Sequence, residues 1–142
     1  VDTTKLAKQL IVHEGLSLKI YTDTAGKVSV GVGHNLTDKG LTQSQVMSIL
    51  QTDISDTLNL LQAHFPWFGV LDDVRQRAIA DLTFDLMEKM LEFKKMIAAI
   101  QMQDWAGAHD ELLNSAFAHE APNRAKDLSI MLLTGVDLPG IK

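Results

Sequence analysis

There is no cysteine among the 142 residues of this chain. That excludes a disulfide framework and thiol chemistry, and leaves the redox compartment open. No apolar run approaches the length of a membrane span, and no basic segment leading into an apolar one marks a secretion leader. The first residue is Val1 rather than methionine, so a leader or fusion partner could have been removed ahead of it. Low-complexity tracts, internal repeats and breaks in composition are also missing, which argues against a second independent domain. Positive charge is in deficit: 13 Lys and Arg against 18 Asp and Glu give a net charge of -5. Such a chain repels phosphate-rich polymers, so nucleic acid is not an expected partner. His34 does not stand at metal-ligand spacing from His13, His64, His109 or His119, and neither a metal nor a cofactor is expected.

What is present suits one compact unit over residues 1–142, 46% hydrophobic and 22% charged, long enough to bury a sizeable core. The chemistry concentrates between His13 and Leu36, HEGLSLKIYTDTAGKVSVGVGHNL. Ahead of it, Leu6, Ala7, Leu10 and Ile11 follow helical spacing, and Glu14 continues their stripe by one more i, i+4 step. Gly15 reads as the residue just past the helix end, which puts Glu14 in the last turn, at the negative end of the helix dipole. Partial burial and the dipole both favour the proton-carrying form that a general acid needs. The plainer alternative is a surface glutamate reaching past the edge of the core.

After Gly15 the segment Leu16 to Thr22 alternates, Asp23 to Lys27 supplies turn chemistry, and Val28, Val30 and Val32 resume the alternation. This pattern predicts a hairpin. A turn aspartate commonly accepts hydrogen bonds from nearby backbone N–H groups, and that role stays open for Asp23. Ser29 has the opposite parity to Val28 and Val30, so its hydroxyl could face the same cleft as Asp23. An acid, a second carboxylate and a hydroxyl able to hold a water are the parts that inverting glycoside hydrolysis requires.

The run Glu14-Gly15-Leu16, then Tyr21, Asp23 and Gly26, then Gly31-Val32-Gly33-His34-Asn35-Leu36-Thr37, resembles without gaps the active-site signature of the phage-type lysozymes, the T-even phage endolysin family. Leu71-Asp72 with Val74-Arg75, Phe84, Asp104-Trp105, and Pro122-Asn123-Arg124-Ala125 leading to Thr134-Gly135 extend the resemblance over nearly the whole chain. It implies that Glu14 is the general acid, that Asp23 lies across the glycosidic bond, and that Ser29, where threonine is usual, helps place the attacking water. Ser keeps the hydroxyl but loses the methyl that restricts χ1. The resemblance also implies substrate contacts at Tyr21, Gly33, Leu36, Phe84 and Asp85. Arg124 is implied close to the acid, and His34 as a structural residue paired with Asp53. The chain departs from the family at Asp85, usually an amide that contacts the sugar, and at Met87, near which a glycine lets the helix end. Phe117 stands where Trp is common and Glu120 where Gln is common.

The implied fold is α+β and lysozyme-like: a small lobe of helix and hairpin over about 1–41, a connecting helix over about 42–64, and a helical lobe over about 65–142. The residues agree with it. Thr42 and Gln45 form a capping box for a helix with Val46, Leu50, Ile54 and Leu61 on one stripe, about 34 Å long to His64. Pro66 ends it, and Phe65, Trp67 and Phe68 read as packing rather than a sugar platform. Asp72 caps a helix with Val74, Ala78, Leu82 and Leu86 inward. Met90 to Met102 is a further apolar stretch, Asp104 caps a helix around Trp105, and Pro122 opens a last helix reaching Gly135. The methionines read as core fillers, and Asp85 falls inside its helix's apolar stripe, with a rim carboxylate as the plainer alternative.

The expected function is lysozyme activity: hydrolysis of the β-1,4 bond after N-acetylmuramic acid in peptidoglycan by a monomer. It would be made in a host cytoplasm and act at the periplasmic cell wall, or be secreted. Net negative charge sits awkwardly with an acidic wall, so steering would have to come from a local patch. Two rivals stay open: a lytic transglycosylase, which needs the Glu14 acid but no water-activating Asp23, and a non-catalytic glycan-binding or structural relative.

Overall fold

The computed structural model describes residues 1–141. It divides into two units, one from Val1 to Ile49 and a second from Leu50 onward.

The first unit opens with α1 (Thr3–Glu14), started by Asp2, whose carboxylate accepts from the Lys5 N–H at 2.9 Å. Gly15 ends it with φ 78° and its N–H on the Ile11 carbonyl. A three-stranded antiparallel sheet follows in the order β1 (Ser17–Thr22), β2 (Val28–Gly31) and β3 (His34–Asn35). The hairpin expected from the alternation is there, with an irregularity in β1 between Ser17 and Tyr21. Two features were not legible: β3, only two residues long, and the single turn of helix α2 (Leu36–Lys39), where the sequence suggested a plain turn. Asn35 caps α2 by accepting from the Asp38 N–H at 3.0 Å. Lys27 Nζ reaches Asp38 at 3.0 Å and the Val28 N–H donates to Thr37 Oγ1 at 2.8 Å, so α2 is tied to β2 by polar contacts.

The stripe of α1 corrects the sequence reading. No residue of α1 is buried; Leu6, Leu10 and Ile11 are exposed, and so is Glu14. The sheet and α2 pack on one another, and nothing in this unit covers the stripe closely enough to exclude solvent.

Helix α3 (Gln43–His64) starts on the expected capping box: the Gln45 N–H donates to Thr42 Oγ1 at 3.2 Å and the Thr42 N–H donates to Gln45 Oε1 at 2.8 Å. Of its stripe only Leu61 is buried, while Val46 and Ile54 are exposed. Around Pro66 the aromatic cluster turns inward as packing, with Phe65 and Phe68 buried and the Phe65 and Trp67 rings 4.9 Å apart.

In the second unit α4 (Asp73–Leu86), α5 (Lys94–Gln101), α6 (Trp105–Leu113), α7 (Ala116–Glu120) and α8 (Pro122–Thr134) share one core. Helix α8 lies at its centre, packing on α4, α6 and α7 and burying Ala125, Leu128, Ser129, Met131 and Leu132. Met90, Met96 and Met131 are buried as fillers. Truncating a residue such as Leu82 to alanine in a core of this kind costs about 2–5 kcal/mol. The buried hydroxyls of Thr57, Thr83 and Ser129 donate back to the carbonyls of Asp53, Ile79 and Lys126. No buried side-chain N or O is without a partner among the described residues.

Arg75 closes the C-terminal end of α8. Its Nε and Nη2 donate to the Leu132 and Leu133 carbonyls at 2.7 and 3.1 Å, and its guanidinium stacks 4.1 Å above the Trp105 ring. Gly135, left-handed at φ 64°, leaves it room: a β-carbon there would come within 2.7 Å of Nη1.

Candidate active site

Seven of the residues singled out above lie in the first unit, and local chain geometry positions each. Glu14 is the last residue of α1, with its carboxyl exposed. The turn Gly31-Val32-Gly33 between β2 and β3 comes up against it, both glycines having positive φ (69° and 64°). A β-carbon at Gly33 would lie 3.1 Å from Glu14 Oε2. The bare α-carbon therefore sets how close the turn comes to the acid.

Asp23 sits at the β1–β2 turn. Its Oδ1 accepts from the Ala25 and Lys27 N–H groups, both at 2.9 Å, while its own N–H donates to the Lys27 carbonyl at 2.8 Å. The turn role is thus filled by one carboxylate oxygen, and Oδ2 makes no hydrogen bond among the described residues. Ser29 pairs with Tyr21 on one side and Asn35 on the other, so these three side chains run across a single face of the sheet. Ser29 is 4% exposed and is the one buried residue among residues 1–49. Tyr21 stays partly open beside it at 36%. Leu36 begins α2 and is half-buried.

His34 is set by a 2.7 Å contact between Nε2 and the Gly40 carbonyl. A carbonyl only accepts, so Nε2 carries the proton. Asp53 belongs to the second unit, on α3, where its backbone carbonyl accepts from the Thr57 hydroxyl.

Phe84, Asp85 and Arg124 come together in the second unit. Arg124 donates from Nε to Asp81 Oδ1 at 2.7 Å and from Nη2 to the Asp81 carbonyl at 3.0 Å, and its Nη1 stands 3.5 Å from Asp85. Asp85 is exposed and faces a guanidinium. Phe84, Asp81 and Arg124 border a cavity of about 500 Å³ whose other walls include Ile54, Leu58 and Met131. The sequence reading missed Asp81. Its signal was the i, i+4 spacing to Asp85, which puts two carboxylates on one side of α4. It also missed Asn35 and Asp38, whose N-x-x-D spacing is that of a capped helix start.

Met87 ends α4 in a conformation that methionine rarely adopts, φ 49° and ψ -127°, at the place where the resemblance expected a glycine nearby. Among the described residues no group of three His, Cys, Asp or Glu is arranged to hold a metal ion, and no helix is long and apolar enough to cross a membrane.

The sequence pattern of the phage lysozyme family matches residues 12–128, a span that includes Glu14, Asp23, Ser29, Gly33, Phe84 and Arg124. Probable T4-type lysozymes 1 and 2 of Dictyostelium discoideum are 24% and 25% identical, each alignment covering 93% of this chain and 95% of the relative. The pre-baseplate central spike protein Gp5 of Enterobacteria phage T4 is 22% identical over 92% of this chain, which spans only 28% of that protein. With an α+β architecture of the expected kind and a family match over most of its length, this chain belongs to the phage lysozyme family.

Proposed function

We propose that this chain is a muramidase that hydrolyses the β-1,4 bond between N-acetylmuramic acid and N-acetylglucosamine in bacterial peptidoglycan, with inversion at the anomeric carbon. Glu14 protonates the leaving oxygen. Asp23, through its unengaged Oδ2, activates the attacking water and supports the developing positive charge on the sugar. The Ser29 hydroxyl holds that water. As the family resemblance implies, Asp85 serves the substrate side and Arg124 supports the acid, and the enzyme works as a monomer on the wall of a lysing host cell.

The observation that carries this reading is the bare Gly33 α-carbon beside the exposed Glu14 carboxyl. A polymeric sugar needs open access to its acid, and any larger residue at position 33 would crowd that oxygen. Glu14 lacks the protein burial that the sequence suggested, which leaves its carboxyl open to a bound glycan. Family membership and the lysozyme names of two relatives support a lysozyme-like reaction. One observation favours the rival transglycosylase: Asp23 Oδ1 is occupied by turn hydrogen bonds, which would leave Glu14 as the sole reacting carboxyl if Asp23 were only structural.

Product analysis on purified sacculi tests the reading. Reducing muramic acid ends with an inverted anomer are expected, and anhydro-muramic ends would transfer the assignment to the transglycosylase. Glu14→Gln removes the transferable proton at nearly constant shape, so activity should fall by about 100-fold or more with folding intact. Clearing of cell walls by that variant at the wild-type rate would remove Glu14 as the acid.

A further inference from the structure

Strand β1 is an edge of the sheet, and its middle does not keep step with β2. Ser17 stands opposite Gly31 and Tyr21 opposite Ser29, so four steps along β1 match two along β2 and two residues of Leu18-Lys19-Ile20 are surplus to the pairing. Leu18 is 90% exposed and Ile20 69%, and Leu16 and Val12, just before them in the chain, are exposed as well. Ser17 closes the bulge. Its hydroxyl donates to the Lys19 carbonyl at 2.6 Å and accepts from the Lys19 N–H at 3.3 Å. The catalytic reading uses none of these apolar side chains, and an exposed apolar patch of this kind marks a docking surface.

An added strand needs a regular edge with free N–H and C=O groups. Here the bulge breaks the edge, Ser17 takes up both backbone groups of Lys19, and a lysine stands in the middle, all of which oppose strand addition. Only the side chains are on offer, and their charge selects the occupant. Of the 13 Lys and Arg and 18 Asp and Glu of the chain, residues 1–49 hold five and four, which leaves eight and fourteen to the second unit. Lys5 and Lys27 are engaged by Asp2 and Asp38. Lys19, between Leu18 and Ile20, and Lys8, one helical turn before Val12, form no ion pair among the described residues. An isologous dimer through this patch would bring the same uncommitted lysines together, at a cost in repulsion. An anionic lipid surface satisfies both features, since it takes apolar tips into its acyl boundary and ammonium groups at its phosphates. We propose that the Leu18-Lys19-Ile20 bulge, with Val12 and Leu16, docks the first unit on an anionic bilayer, with Lys8 and Lys19 at the headgroups. It is the local patch that a chain of net charge -5 needs to approach a negative surface. On the muramidase reading, docking concentrates Glu14 and Asp23, which flank the bulge in the chain, where wall and membrane meet. The docking itself does not depend on that reading.

Flotation of the purified chain with lipid vesicles is the test. Wild type is expected to bind vesicles of phosphatidylethanolamine with phosphatidylglycerol, less tightly as salt rises, and to bind pure phosphatidylcholine about tenfold or more weakly. Leu18→Ser/Ile20→Ser and Lys8→Gln/Lys19→Gln should each lower the partition onto anionic vesicles about tenfold, and only the lysine variant should lose the salt dependence. All four positions are exposed, so circular dichroism and melting temperature should match wild type. Because the chain has no cysteine, Leu18→Cys carries a single environment-sensitive dye. Its emission should shift to the blue on anionic vesicles, while the same dye at Met102→Cys, exposed in the second unit, should not respond. No vesicle binding by wild type, equal binding by wild type and both double variants, or a dye response at Met102 without one at Leu18 would overturn the proposal. So would a concentration-dependent dimer that Leu18→Ser/Ile20→Ser dissolves, found without vesicle binding, which would give the patch to a second copy. The vesicles hold no glycan, so failure here leaves the muramidase reading standing, and vesicle binding without wall cleavage leaves the docking standing.

Discussion

Gly33 sets its bare α-carbon against the carboxyl of Glu14, so that a β-carbon there would stand 3.1 Å from Oε2 and 3.4 Å from Cδ. The backbone adds a second demand, since φ at Gly33 is 64°. Gly33→Ala should therefore cost about 1 kcal/mol of stability from backbone strain and displace the acid. A shift of the acid by a fraction of an ångström is enough to lower kcat about tenfold or more. Melting temperature and kcat measured together check this, and an alanine variant with wild-type kcat would show that the approach has no catalytic consequence.

Ser29 is buried in the middle strand, with Tyr21 and Asn35 beside it on the same face. If its hydroxyl holds the attacking water, Ser29→Ala should lose activity strongly while folding normally. Ser29→Thr keeps the hydroxyl and adds a methyl that suits a strand, so activity should be retained or rise modestly provided the buried site accepts the extra carbon. Specific activity and melting temperature of both variants separate the roles. Full activity in a folded Ser29→Ala protein takes Ser29 out of the mechanism.

Met87 pays for its place at the end of α4 with φ 49° and ψ -127°. Met87→Gly removes that strain, and stability should rise by about 1 kcal/mol. The loss of the contact between the Thr57 hydroxyl and Met87 Sδ, 3.9 Å long, offsets little of this. Urea unfolding should show a higher midpoint with an unchanged slope. A lower midpoint would mean that the packing of Met87 outweighs its strain.

Asp72 caps α4 and binds Arg75, accepting from its N–H at 3.1 Å and from Nη1 at 2.9 Å. Burial pushes its carboxyl up, but the hydrogen bonds and positive charge of Arg75 outweigh that and hold it below the ordinary value of 3.8. A carboxyl lowered on folding stabilises the protein above its unfolded value, and the benefit is lost as pH falls through the lowered one. Asp72→Asn should accordingly be less stable than wild type at neutral pH, with the gap narrowing below about pH 4. Acid unfolding curves of the two proteins check this. A gap that stays constant down to pH 2 would show that the ionised carboxylate contributes nothing.

Helix ends and turns were legible because their chemistry acts over three or four residues. Thr42 with Gln45, Asp72, Asp104, and Pro122 with Gly135 each mark a boundary that the structure keeps. The hairpin was readable for the same reason, since period-two alternation broken by Asp23 to Lys27 leaves little else for the chain to form. Helix α7 and strand β3 escaped, being too short to display a period.

The sequence by itself determined the family signature, the capped helices and the grouping of Glu14, Asp23 and Ser29 within one short stretch, because all three depend on neighbours along the chain. Only the tertiary structure decided that Glu14 is exposed while Ser29 is buried, and that Gly33 stands against Glu14. It also decided that Arg124 is held by Asp81, 43 residues away, and that Arg75 caps a helix end 57 residues further on. Burial and long-range pairing depend on which surfaces meet. Periodicity shows that a helix has an apolar face, as α1 does, but carries no information about whether another element covers it.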